Sequence, residues 1–466
     1  MSKRQKLDFL DFVASPYFNR QPRLLEATRY LLENSEDTWT HESLHEVLYR
    51  SAKPYRKQAV YDALSQLQTL LERFLSLQQF EQNSAIQQEQ LLEALTNLQA
   101  EDGFWRQWRK QKQYWERFPH QDLQYLEGQY GLHRNAAVFA ATRQRRDQDE
   151  HLGNTILYLE LSYWVRRLKL ACEVLNRRHI LSQEPVSESE DSLTVPTSHL
   201  ELPAVHAYWL IYEALRAGDD EMAYLRWTDW LDKNSTLFAA SEVIDMYNYA
   251  QNYCVRKINQ GQIHFLERLF TLYAQLEEKE LLLDQFGMMD HRKLKNMVTV
   301  GIRLNAFEWA DEFLHRYRDK LIPDYREDAF GFNLASLRYA QKRHSEALTL
   351  LQQVEFRDVF YWLSAKTLLI RIYYETAEDL ALSFQLENLR LYLHRNRLVS
   401  SFQRKVHHNL LRFTRKLLRL REQRDFVEEA VFAERLASLE QQLERTTDVA
   451  NLSWLKAQIV LLKGDA

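Results

Sequence analysis

Ten glycines and eight prolines in 466 residues leave this chain little material for tight turns. Average usage is about 7% glycine and 5% proline, and sheet proteins draw on both, with asparagine, at nearly every turn. A chain so short of them must run in long helices joined by brief links. The predicted fold class is therefore all-α. The length exceeds one ordinary compact core, so the helices are expected to divide between domains or to form a repeat array. With 45% hydrophobic and 12% aromatic residues, the apolar material for a large core is present.

Apolar periodicity places the first helices. One run stops at Ser15-Pro16, because proline lacks a donor and pushes its predecessor out of the α region. Asn19 is expected to cap the next helix, with Pro22 in its opening turn. Tyr17 and Phe18 then lie at a corner, where two large aromatics are expected to pack between neighbouring helices. A short helix follows Thr40, and a third runs from about Pro54 to Phe80. In that third helix Val60, Leu64, Leu67, Leu71 and Phe74 alternate steps of four and three, drawing one buried stripe. Further helices are expected at about 85–98, 104–117, 121–147 and 152–181. Residues 182–203, "SQEPVSESEDSLTVPTSHLELP", combine proline, serine and acids, and read as a flexible linker.

Beyond the linker the pattern repeats. "NAFEWADEFL" (305–314), "KRHSEALTLL" (342–351) and "YETAEDLALSFQ" (374–385) each carry a small residue early in a second helix: Ala310, Ala347 and Ala381. These lie 37 and 34 residues apart. Apolar pairs Val298/Ile302, Leu334/Leu337 and Leu368/Ile372 mark the first helices, and residues 210–231 look like an earlier copy of the hairpin. A helical hairpin of about 34 residues is the tetratricopeptide period, and these segments resemble that family in period more than in consensus. The expected organisation is a helical domain at 1–181, the linker at 182–203, TPR-like hairpins at 204–397 forming an α-solenoid, and capping helices at 398–466.

The N-terminal stretch "FLDFVASPYFN", followed by "LHEVLYRSAKPYRKQAVYDALSQLQTLLERFL", resembles a family of large helical-repeat proteins common in Bacteroidota. The resemblance covers roughly residues 9–76. It implies a helical-repeat protein and brings no activity with it.

Signals for chemistry are few. His41-Glu42-Ser43-Leu44-His45 matches H-E-x-x-H, a zinc-protease pattern that sets two imidazoles on one helical face. Here it occupies the first turn of a short helix and lacks further ligand motifs. No P-loop, G-x-G-x-x-G or G-x-S-x-G occurs. The two cysteines, Cys172 and Cys254, fit neither a disulfide framework nor a metal knuckle. No catalytic residue, cofactor or metal site is expected.

The basic residues Lys53, Arg56 and Lys57 follow a turn and open a helix, as in the outline of a helix-turn-helix. Residues 104–119 interleave Trp105, Trp108 and Trp115 with basic side chains, which reads as a buried tryptophan stripe with a solvated basic back. The strongest charge signal is residues 395–424, with ten Lys/Arg against one acid, Glu422. Arg404, Lys405, His408, Arg412, Arg415, Lys416 and Arg419 fall within an arc of about 120° on one helix, opposite Val406, Leu410, Phe413, Leu417 and Leu420. This ridge is the candidate site for an anionic partner, unless acids of the next helix, Asp425 to Glu444, neutralise it.

The net charge of −4 argues against a globally basic nucleic-acid binder. The N-terminal residues are not expected to act as a secretory leader, because Asp8 and Asp11 interrupt the apolar run. No apolar stretch reaches the roughly 18 residues of a membrane span. The expected function is a cytoplasmic, non-enzymatic scaffold that binds an unidentified protein or peptide, with a nucleic-acid-associated factor as the second reading.

Overall fold

The computed structural model describes residues 1–34, 38–49, 54–142, 149–181, 193–218 and 220–464. Among the described residues the chain is all-α, with 21 α-helices and a single isolated bridge, between Met289 and Leu321. The first nine are α1 (Lys3–Ala14), α2 (Pro22–Glu33), α3 (His41–Tyr49), α4 (Lys57–Gln82), α5 (Ser84–Asn97), α6 (Glu101–Glu116), α7 (Leu123–Thr142), α8 (Asp149–Leu181) and α9 (Pro203–Ala217). There follow α10 (Glu221–Asn234), α11 (Ala240–Asn259), α12 (Phe265–Glu278), α13 (His291–Arg303), α14 (Phe307–Tyr317), α15 (Pro323–Ala340) and α16 (His344–Gln353). The last are α17 (Val359–Glu375), α18 (Asp379–Arg395), α19 (Ser401–Gln423), α20 (Glu429–Glu444) and α21 (Leu452–Gly464).

The chain forms two compact units. The first comprises residues 1–174, 186–216 and 233–239, and the second 175–185, 217–232 and 240–466. The expected linker, 182–203, lies outside the described residues over 182–192. From 193 to 203 the chain is packed. The Leu193 amide donates to the Tyr212 hydroxyl at 3.2 Å, Val195 and His199 are buried, and a 3-10 turn at Thr197–Glu201 leads into α9. Residues 210–231, expected to form one hairpin, divide between the two units.

In the first unit, α4 turns the predicted stripe inward, burying Val60, Leu67 and Phe74 and half-burying Leu64 and Leu71. Val60 and Leu67 join Leu24, Ala27, Leu44 and Leu48, while Phe74 packs with Phe9, Phe12 and Val13. The corner at Ser15-Pro16 differs from expectation in two ways. Phe18 stacks on Phe12 with centroids 4.1 Å apart, but Tyr17 is 80% exposed and meets only the edge of Phe18, at 5.0 Å, instead of packing between helices. Asn19 does not cap α2. Its amide instead donates to the Val13 and Gln21 carbonyls, and its carbonyl oxygen accepts from the Gln21 amide, so it ties the corner to itself. Of the α6 tryptophans expected in a buried stripe, Trp108 and Trp115 are buried and Trp105 is half-buried, while Arg106, Arg109, Lys110 and Lys112 face solvent.

The second unit is a succession of hairpins. Helix α13 packs on α14 and α15, α15 on α16 and α17, and α17 on α18, so the first helix of each pair lies against the first helix of the next. The same corner builds all three hairpins. Asn305, Lys342 and Ala377 sit at φ 57°, 63° and 55°. The next residue's amide bonds back across the helix end, from Ala306 to Gly301, Arg343 to Arg338 and Glu378 to Tyr373, each at 2.9 Å. This is the six-to-one bond of a Schellman cap. Those same residues enter the second helix with ψ 59°, 64° and 70°. Five positions beyond each left-handed residue comes a fully buried side chain, Ala310, Ala347 or Leu382. The third small-residue assignment was therefore one position early: Ala381 is only half-buried, and Leu382 holds the register.

The corner recurs outside this run. Gln99, at φ 52°, joins α5 to α6 through an Ala100 to Leu95 bond of 3.0 Å, with buried Phe104 five residues on. Gly218, at φ 63°, precedes buried Ala223 by the same interval.

Candidate functional site: a basic face and a caged lysine

The predicted ridge lies on α19, which a capping box starts at Ser400 and which buries Leu410, Phe413, Leu417 and Leu420. The opposite side does not present its cations as one row. Packing splits them into two edges.

Toward α18, Arg404 donates to the Asn396 carbonyl at 2.9 Å and closes the α18–α19 corner. Arg415 reaches Glu387 at 3.4 Å, and Glu387 is also held by Arg390 at 2.6 Å. His408 lies among these charges. Burial lowers its pKa first, and the positive charges of Arg390, Arg404, Arg415 and His394 lower it further. The side chain thus reports a positive local potential. Toward the other edge, Lys405 pairs with Asp448 at 2.8 Å, Arg412 donates to the Thr446 hydroxyl at 3.3 Å, and Lys416 bonds Gln442. Arg419 is exposed.

The expected neutralisers on α20 are not the residues that engage the ridge. Helix α20 turns Phe432, Leu436, Leu439 and Leu443 into the core, so Glu428, Glu429, Glu434 and Glu444 stay on the exposed side. The ion pairs run instead to Glu387 and Asp448. Residues Arg390 and His394 on α18 join the basic face, and no periodicity within residues 395–424 could have found them.

A second cluster lies between the first helices of successive hairpins. Lys295 on α13 extends its ammonium to 3.8 Å from the Phe360 ring centroid, 5.0 Å from Phe332 and 5.9 Å from Tyr361. The same group lies 3.4 Å from the Ser364 hydroxyl. Burial lowers its pKa to about 8, and Asp358 opposes the shift. Below it, His291 stacks on Tyr325 at 4.3 Å and meets the buried Tyr361 hydroxyl at 3.1 Å. Aromatic faces attract a cation most strongly when water is excluded, so this lysine cross-links α13, α15 and α17.

The H-E-x-x-H residues are apart in character. His45 is buried against Tyr49 and Tyr55, and His41 lies against Trp39 and Tyr61. Among the described residues no cluster of three His, Cys, Asp or Glu could hold a metal ion. Of the helix-turn-helix residues, Lys53 lies outside the described residues, and Lys57 sits over Tyr61 at 5.6 Å. Both cysteines are buried, and burial pushes both thiols up, Cys254 to about 12. No described helix is long and apolar enough to cross a membrane.

Fold and surfaces together define an all-α protein, among the described residues, whose second unit packs helical hairpins and carries a divided basic face. Against protein-family models and curated proteins the chain finds no match.

Proposed function

We propose that the chain is a non-enzymatic cytoplasmic scaffold of TPR-like hairpins that docks a protein or peptide partner. The observation that carries this reading is the corner repeated at Asn305, Lys342 and Ala377. It holds α13, α15 and α17 side by side, and Lys295 locks them together. Aligned first helices of this kind form the extended binding surface of helical-repeat proteins. The step from architecture to function is analogy. On α13 that surface presents Arg292, Asn296 and Thr299 to solvent.

The second reading is a nucleic-acid-associated factor. The cluster of Arg390, His394, Arg404 and Arg415 around His408 favours it.

Purification from the native cell at low salt, with and without nuclease, separates the two. The scaffold expects a stoichiometric protein that survives nuclease and is lost from an Asn296→Glu/Thr299→Glu variant. Retention by that variant removes α13 as the docking surface. The second reading expects bound nucleic acid, released steeply with salt and by reversing Arg412 and Arg415. If neither protein nor nucleic acid co-purifies, both readings fail.

A further inference from the structure

Helix α8 has two apolar faces. One buries Leu161, Val165, Leu168 and Cys172 within the first unit. The other consists of Leu152, Ile156, Leu159, Tyr163, Leu170 and Val174, each between 43% and 64% exposed. Their steps of four, three, four, seven and four keep them within an arc of about 60°, along about 33 Å of helix. That is the seam spacing of a helix that packs lengthwise on another helix.

We propose that this face is the seam of a homodimer, in which α8 of two copies packs antiparallel about a two-fold axis at Tyr163. An interface of this symmetry uses one patch twice, so the patch must complement itself when reversed. This one does. Ile156 and Leu170 lie seven residues before and after Tyr163, and Leu152 and Val174 lie eleven before and after. Reversal sets Ile156 on the second copy's Leu170, and Leu152 on its Val174. Both of these layers are apolar on both sides, while Leu159 lies level with the second copy's Arg167, whose aliphatic stem can cover it.

The charges obey the same symmetry. Glu160, three residues before Tyr163, and Arg167, four after, lie on the same flank of the stripe, about 60° and 40° around the helix. In the antiparallel pair each Glu160 meets Arg167 of the other copy at nearly the same level. A parallel pair would instead put the Glu160/Arg167 flanks of the two copies on opposite sides of the seam, where they cannot meet. Glu160 is 54% exposed and, within its own chain, approaches His199 at 3.4 Å. Arg166, at the opposite edge of the stripe, is ion-paired with Glu127 on α7.

A single helix pair offers less than the roughly 800 Å² per partner of a standard interface, so the dimer is expected to dissociate in the micromolar range.

Sedimentation velocity on the full chain, from low to high micromolar concentration, tests the proposal. A reversible monomer–dimer equilibrium is expected, abolished by Ile156→Glu. Glu160→Arg and Arg167→Glu should each weaken dimerisation several-fold, and the two together should restore it. Tyr163→Cys should cross-link to itself with a short bis-maleimide, since Cys172 and Cys254 are buried. Leu152→Cys should cross-link only when mixed with Val174→Cys. Circular dichroism checks the fold of each variant, and the exposed charge swaps remain decisive if Ile156→Glu unfolds. A monomer at every concentration overturns the proposal. So does a dimer indifferent to the charge reversals, or Leu152→Cys cross-linking to itself.

Discussion

Ala377 holds a left-handed backbone at φ 55° without the freedom of glycine, as do Asn305, Lys342 and Gln99. An L-residue there costs roughly 1–2 kcal/mol, and such strain persists only where the surroundings over-determine it. Ala377→Gly should therefore raise stability by up to about 1 kcal/mol, the gain in the folded state exceeding glycine's larger unfolded entropy. The urea midpoint measures it. Lys295 shows a different conflict. Aromatic faces contribute about 0.5–2 kcal/mol to a desolvated cation, yet burial still lowers its pKa from 10.5 to about 8. Between those values the unfolded chain binds more protons, so stability should rise as pH climbs from 8 to 10.5. Lys295→Met should stabilise the protein by about 1–2 kcal/mol at pH 7 and flatten that rise. Neither residue was visible as special in the sequence. Lysine and alanine are ordinary helix formers, and their strain comes from what packs on either side.

At the scale of elements, helix positions were legible because each helix carries its own apolar period. The pairing of helices was less so. His133 on α7 meets His151 on α8 with their Nδ1 atoms 3.3 Å apart, an encounter between residues 18 apart in sequence. Burial, then the neighbouring His151 charge, lowers the His133 pKa to about 4. Its folded value lies below the unfolded 6.5, so the stability present above pH 6.5 should be lost as pH falls toward 4. His133→Asn should shrink that loss in urea titrations across the interval, and an unchanged slope would assign it elsewhere. The basic ridge shows the same limit. Helical spacing placed its seven residues on one side of α19, but their acidic partners sit on α18 and in the loop at Asp448. Helix α20, nearest in sequence, spends its apolar side on the core and leaves its acids facing out.

The chain divides into two compact units, and this predicts that its denaturation is not a single two-state step. A fragment of residues 217–466 contains all of the second unit except 175–185. It should retain helical circular dichroism and a cooperative urea transition, and a fragment without one would mean that the second core depends on the first. The sequence determined the helices and the hairpin period. Both follow from local facts, the scarcity of turn residues and the spacing of apolar side chains, which act within a few turns of backbone. Only the tertiary structure decided which residues take the left-handed corners, that Leu382 and not Ala381 keeps the repeat in register, that Lys295 is enclosed by rings, and which cations of α19 face acids. Each of these depends on groups brought together across tens of residues, where packing, desolvation and charge act through space and leave no periodic trace along the chain.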